Sequence, residues 1–301
     1  MKRNHSFLVF FMMTFVVMTA FMSCNKFEGD QEIPAYIHVD TFMFTTDYAF
    51  EGAASHKITD VWLYIDGNLQ GCYEMPATIP VLKRGEHSLM LIPGIKLNGN
   101  SSTRTINPFY KPYEIESFNL EEGVIDTILP TTRYYSKEES TIEFAFIEDF
   151  ERGINLEKTD VSDTTVILTD RDAPDAWQDA EGNSHHSGYV WIGDTIDFFC
   201  IKSAEEFSNL PNQGDYIFLE IDYKCTNIFK VGLLARTGGI EQIDLIYVNP
   251  SPKWNKIYVN LGPNITDYQE AQYFEFFIAG NLDGATEAEY YFDNIKLVYR
   301  D

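Results

Sequence analysis

The sequence predicts an all-β protein made of two β-sandwich domains, and three features carry that prediction. Val61, Leu63 and Ile65 alternate with Trp62 and Tyr64, the two-residue period of a strand with distinct faces, and Asp66-Gly67 then supplies the left-handed geometry of a tight hairpin. No stretch of either domain sustains a 3.6-residue period. Residues 134–140, Tyr-Tyr-Ser-Lys-Glu-Glu-Ser, turn polar and charged and divide the strands into two groups, 34–133 and 141–301.

The chain opens with Lys2 and Arg3, continues with an apolar run over 7–22, and reaches Ser23 just before Cys24. A basic start, an apolar stretch and a small residue at a cut site are the parts of an export signal. The run is marginal for crossing ~30 Å of hydrocarbon, and no stop-transfer charges follow it. This pattern resembles bacterial lipoprotein signals, and in overall style the chain resembles lipoproteins of the Bacteroidetes. The resemblance implies a signal peptide over 1–23 and acylation of Cys24 with fatty acid such as palmitate. It also implies a membrane partnership through the lipid anchor at the outer membrane. Ordinary cleaved secretion with Cys24 incidental is the alternative. Each buried acyl methylene contributes ~0.8 kcal/mol, so two or three chains hold a globular body at a bilayer without a spanning helix. Residues 24–33 read as a tether, and Lys26, Glu28, Asp30 and Glu32 weakly resemble acidic surface-export signals, although Phe27 and Gly29 interrupt them.

Charge excludes one class of partner. With 46 acidic against 22 basic residues and a formal charge of −24, the chain lacks the concentrated Lys and Arg that nucleic acid requires. The same acidity keeps a surface solvated and suits carboxylate coordination of Ca²⁺. Cys72, Cys200 and Cys225 match neither a CxxC nor a zinc spacing; buried thiols are one reading and a Cys200–Cys225 disulfide is the other.

In the first domain, strands are expected at 36–44, 61–65, 113–119 and 124–129. A further pair is formed by Val81-Leu82 and 88–92 about the Arg84-Gly85 turn. The stretch Asp66-Gly67, Gly71, Pro76 to Pro80, Gly85 and His87 is similar to PEGA-like and carboxypeptidase-regulatory-like sandwiches. That implies a small Ig/prealbumin-like fold serving as spacer or docking module, and no chemistry.

In the second domain, strands are expected at 142–147, 166–168, 189–192, 216–224, 230–234, 243–248, 256–261, 273–278 and 290–299, with a helical turn only near 203–208. Within 216–224, Ile217, Leu219, Ile221 and Tyr223 share one face while Glu220, Asp222 and Lys224 share the other. Nine strands with long loops fit a jelly roll. The early Asp149-Phe150-Glu151, the strand Trp254 to Leu261 and the terminal Phe292-Asp293-Asn294-Ile295-Lys296-Leu297 resemble galactose-binding-type jelly rolls, many of them carbohydrate-binding modules.

Two candidate sites follow. Asp293 shares strand parity with Ile295 and Leu297, which places an acid toward the interior, where it needs a partner. The resemblance implies a structural Ca²⁺ held by Asp149, Glu151 and Asp293; hydrogen bonding of Asp293 to loop amides or Arg152 is the other reading. For a sugar, exposed aromatic faces flanked by acids and amides are required. The loop 169–188 offers Trp177 with Asp175 and Asp179, and Trp191 follows; Trp177 as an apolar anchor for its own loop is the plainer reading, and Trp62 and Trp254 read as core. His185 and His186 are adjacent, so in an extended segment they point apart and do not share a metal.

Catalysis lacks support, since G-x-S-x-G, H-E-x-x-H and a phosphate loop are all missing. The expected function is non-catalytic binding of carbohydrate or glycoconjugate by an envelope lipoprotein. The alternative is a structural or interaction subunit with protein partners in an outer-membrane assembly.

Overall fold

The computed structural model describes Met12 and residues 32–300. The expected lipidation site at Cys24 lies outside them, as does the expected signal apart from Met12. The first domain runs β1 (Ala35–Val39), β2 (Met43–Thr45), α1 (Tyr48–Glu51), β3 (Asp60–Ile65), β4 (Asn68–Glu74), β5 (Ala77–Val81), β6 (Gly85–Lys96), β7 (Arg104–Ile106), β8 (Tyr113–Leu120), β9 (Ile125–Ile128) and β10 (Thr131–Arg133). The second runs β11 (Ile142–Glu148), β12 (Leu156–Lys158), β13 (Ile167–Leu168), β14 (Gly188–Gly193), β15 (Phe198–Ser203), β16 (Ile217–Cys225), β17 (Phe229–Arg236), β18 (Ile240–Val248), β19 (Ser251–Asn260), α2 (Gly262–Asp267), β20 (Phe274–Asn281) and β21 (Glu287–Arg300). The all-β class holds. Among the described residues no helix is long and apolar enough to cross a membrane.

Two sheets build the second domain. One has the order β13-β14-β21-β16-β19, with β11 following β14 along the same edge of β21, paired to its C-terminal half; the other has the order β12-β15-β20-β17-β18. Leu219, Ile221, Phe276, Ile278, Tyr290 and Phe292 fill the space between them. In the first domain β4-β3-β6-β7, with β8 on β6, faces β5-β1-β9 and the short pair β10-β2. Asp66 and Gly67 carry the positive φ values, 52° and 73°, of the expected hairpin between β3 and β4.

Some expectations fail for identifiable reasons. The strand expected over 36–44 breaks at Asp40, and its halves join different sheets, β1 with β5 and β9 but β2 with β10. The pair expected about Arg84-Gly85 crosses between sheets: β5 pairs with β1, whereas β6 pairs with β3, β7 and β8. No helical turn forms at 203–208. Phe207 is drawn into the core and bridges Phe274, while helix forms at α2, where a proline in the first turn presets φ. Cys72, Cys200 and Cys225 are free thiols; Cys225 points into the core between the sheets and Cys200 lies in a small cluster with Phe277 on the far side of the second sheet.

The segment 134–140 is more than a linker. Tyr134 is fully buried and belongs to the first domain's core, which also takes in Ile142, Phe218, Tyr258 and Val298 from the second. Phe109 meets Phe218 edge-on at 5.1 Å, and Tyr134 meets Phe144 at 4.8 Å. The first domain therefore sits on the outer face of the β14-β21-β16-β19 sheet and covers one half of it. Apolar burial joins the two sandwiches directly.

Candidate functional site

Where the first domain stops, the same sheet face continues as a row of aromatic side chains. Tyr189 on β14 is in register with Tyr291 on β21, and Tyr291 with Lys224 on β16. The Tyr189 and Tyr291 rings lie 4.8 Å apart, the Lys224 ammonium sits 5.6 Å over the Tyr291 ring, and Trp254 on β19 meets Tyr291 edge-on at 6.4 Å. Alternation along each strand sends these side chains to one face, because the residues of opposite parity, Val190, Phe292, Tyr223 and Ile257, fill the core. The row is braced: Tyr189 donates to Glu289 at 2.9 Å, and the Trp254 indole N–H donates to the Asp175 carbonyl at 3.0 Å.

Trp254 also belongs to a cleft of about 240 Å³ between the domains, lined by Ser55, His56, Lys57, Trp177, Asp222, Trp254, Asn255 and Lys256. The wall from the first domain is pinned in place. The Lys57 N–H donates to the Tyr258 hydroxyl at 2.8 Å, the Lys57 ammonium to Asn255, and the Lys296 ammonium to the Ala53 carbonyl at 2.8 Å. Beneath the floor lies a buried charged layer in which Lys256 Nζ is 3.1 Å from Glu220 Oε2 and 3.3 Å from Asp222 Oδ1. Burial pulls the Lys256 ammonium down, but Asp222 and Glu220 outweigh it and raise its pKa, so it stays charged. Burial, helped by the charge of Lys256, lowers His56 to about 4, leaving a neutral imidazole in the wall. Lys296 falls to about 8 for the same two reasons.

The expected sugar-binding residues divide. Trp177 is 9% exposed; it packs on His185 at 5.3 Å and lines the cleft, so it both anchors its loop and forms part of the wall. Asp175 ties the loop to the row, accepting from Lys224 and, at 3.4 Å, from Tyr291. Asp179 is engaged within its own loop by Asn183 and His185, contacts that hold its pKa down to about 2. Trp191 lies on the same sheet face, opposite Glu289, with its ring over Gly193, where a Cβ would come within 2.5 Å. His185 turns to Asp179 and His186 to the Thr169 carbonyl.

The structure does not bring Asp149, Glu151 and Asp293 together as a cation cage. Asp149 accepts from Tyr48 of α1 at 2.7 Å, Glu151 pairs with Arg171 and accepts from the His186 N–H, and Asp293 accepts from Ser187 Oγ at 2.7 Å and the Asn294 N–H at 2.7 Å. Among the described residues no group of three His, Cys, Asp or Glu converges on a metal position. The residues present do not fit the ion. Asp293 also faces away from the core. Ala288, Tyr290 and Phe292 point inward, then Ile295 and Leu297, because the strand changes parity across an irregularity at Asp293 and Asn294, where Asn294 has φ 46°. Burial raises the Asp293 pKa well above the ordinary carboxylate range, against the hydrogen bond from Ser187.

Sequence reasoning missed Trp254, which it assigned to the core, and also Tyr189, Tyr291, His56 and Lys57. Strand parity was a usable signal for the first three. Nothing local marks His56 and Lys57, since their role depends on the docking of one domain on the other.

No protein-family model matches the chain, and a search of curated proteins finds no match. Among solved structures, it is similar to a carbohydrate-binding module of the β-sandwich superfamily at 11% identity, covering 79% of this chain and 84% of that one with a TM-score of 0.37. A module specific for non-crystalline cellulose is 12% identical over 52% of this chain and 94% of that one, with a TM-score of 0.35. The family 11 module of a cellulosomal cellulase of Clostridium thermocellum is 14% identical over 52% and 93%, with a TM-score of 0.34.

Proposed function

We propose that the protein is a lipid-anchored lipoprotein of the bacterial outer membrane that binds carbohydrate or a glycoconjugate without transforming it. The observation that carries the binding reading is the position of Trp254, at once the last ring of an aromatic row and a wall of a polar cleft. Aromatic faces stack on the apolar side of pyranose rings while nearby polar groups take hydroxyls; Tyr291 is buried under its neighbours, and half-buried Trp254 and Tyr189 are the rings that offer a face, Trp254 beside the polar cleft. Anchoring is supported by the apolar run ending at Ser23-Cys24.

Affinity electrophoresis of the full-length protein through gels containing neutral polysaccharides tests the binding. Retardation that Trp254→Ala removes is expected; migration unaffected by every polysaccharide rejects the reading. Labelled palmitate incorporated by the natural chain and lost in Cys24→Ala tests the anchor separately.

A second reading, a subunit of an envelope assembly, is favoured by one feature. A groove of about 720 Å³ lined by Phe50, Tyr135, Ile142 and Phe144 lies at the domain junction, with Phe50 72% exposed. Crosslinking from intact envelopes through position 50 distinguishes it.

A further inference from the structure

We infer that the cleft reads the end of a glycan chain, seating one terminal neutral sugar so that two neighbouring hydroxyls face Asp222 and Lys256. This deepens the carbohydrate-binding reading and rests on it. Its first support is a blockade. A chain that reaches the cleft over half-buried Trp254 meets the wall of Ser55, His56 and Lys57 behind it. That wall is pinned by Lys57 to Tyr258 and Asn255 and by Lys296 to the Ala53 carbonyl, so it is part of the folded interface. A chain cannot pass through it. At about 240 Å³ the cleft is smaller than the ~300–1,000 Å³ usual for drug-sized ligands and suits a single ring.

The second support is an unmet demand at the floor. Lys256 and Asp222 are both more than nine-tenths buried, and Lys256 Nζ, 3.1 Å from Glu220 Oε2 and 3.3 Å from Asp222 Oδ1, is ion-paired to both without good hydrogen-bond geometry to either, so Nζ and Asp222 Oδ1 keep hydrogen-bonding capacity. Buried polar groups left short of hydrogen bonds destabilise a fold, and a ligand that supplies those bonds offsets that cost. A donor beside an acceptor matches two hydroxyls on adjacent ring carbons, one accepting from Nζ and the other donating to Oδ1. His56 adds a third contact. Its Nδ1 accepts from the Ile58 N–H at 3.3 Å, which leaves the Nε2 proton as a donor. In the buried layer Glu220 and Asp222 stand against Lys256 and Lys296, and the further ammonium of the lining, Lys57, is turned to Asn255, so a neutral sugar brings no unpaired charge to the floor. Both floor atoms lie under the lining, so binding requires the lining side chains to yield by the width of a hydroxyl.

The test uses the full-length protein in detergent with cello-, galacto-, manno- and xylo-oligosaccharides. Each is offered intact, with its non-reducing terminal sugar O-methylated, and with its reducing end reduced to the alditol. For the oligosaccharides that bind, one end modification should weaken affinity at least tenfold, and His56→Ala should weaken the intact ligand while leaving the modified one unchanged. Asp222→Asn should act in the same direction; if it fails to fold, His56→Ala still decides. Equal affinity for intact and both modified forms overturns end recognition while glycan binding survives. Failure of every oligosaccharide and polysaccharide to bind overturns both.

Discussion

Tyr134 donates its phenolic O–H to the Glu220 carboxylate, 3.0 and 3.1 Å from its two oxygens, and so ties the segment joining the domains to β16. Both residues are fully buried, and Glu220 also faces Lys256. Hydrogen bonds to charged groups contribute ~1.5–3 kcal/mol, and a buried carboxylate that loses a donor bears the cost of its own desolvation. Tyr134→Phe is therefore expected to lower the unfolding free energy by about 2 kcal/mol in urea titration. Both domains should still lose structure in one transition.

The joint core makes a second prediction. Phe218 packs on Phe109 across the domain boundary and on Tyr258 of its own domain, and it is fully buried. Truncating a buried aromatic side chain costs ~3–5 kcal/mol. Phe218→Ala should destabilise both domains together by that amount, whereas independent melting of two domains would contradict the shared core.

At the cleft, Trp254 is half-buried and Trp177 nearly buried, so their substitutions separate binding from stability. Trp254→Ala should reduce polysaccharide affinity about tenfold, the equivalent of ~1.4 kcal/mol, with a small change in melting temperature. Trp177→Ala should lower both, because it also removes the packing on His185 that holds its loop.

His56 predicts a pH dependence with a definite sign. Burial and the charge of Lys256 lower it from 6.5 to about 4. Between those values unfolding takes up a proton, so this group's contribution to stability is present above the unfolded pKa and is lost as pH falls from about 6.5 to about 4. The melting curve of the natural protein minus that of His56→Gln should show a loss of up to roughly 3 kcal/mol across the window. A pH-independent difference would contradict the buried neutral imidazole.

Chelation gives a prediction of the opposite kind. Because Asp149, Glu151 and Asp293 are each engaged by different donors, EDTA should leave the melting temperature unchanged. Asp293→Asn should cost less than ~1 kcal/mol, since burial already favours its neutral form and Asn keeps partners for Ser187 and Asn294. A chelator-sensitive melt would restore the cation.

Most strands were legible because their signal is local. In β16 the alternation of Leu219 and Ile221 with Glu220 and Asp222 identified the two faces, and Asp66-Gly67 identified a turn that only residues tolerant of positive φ make cheaply. The site was legible in part. Trp177, Asp175 and Trp191 lie on or beside the relevant face, whereas Trp254 was assigned to the core and Asp293 to the wrong side of its strand. A single irregularity at Asn294 reverses parity, and no residue type announces it.

What the sequence determined by itself is therefore the all-β class and the polar face of β16, each encoded in the order of neighbouring residues. Only tertiary structure decided that this polar face is buried, because Glu220, Asp222, Lys256 and Lys296 find their partners in one another and in residues more than a hundred positions away, such as Ala53. The cleft exists because one sandwich covers half of the other's sheet. That arrangement is set by the apolar area shared among Tyr134, Phe218, Tyr258 and Val298, a quantity no local pattern reveals.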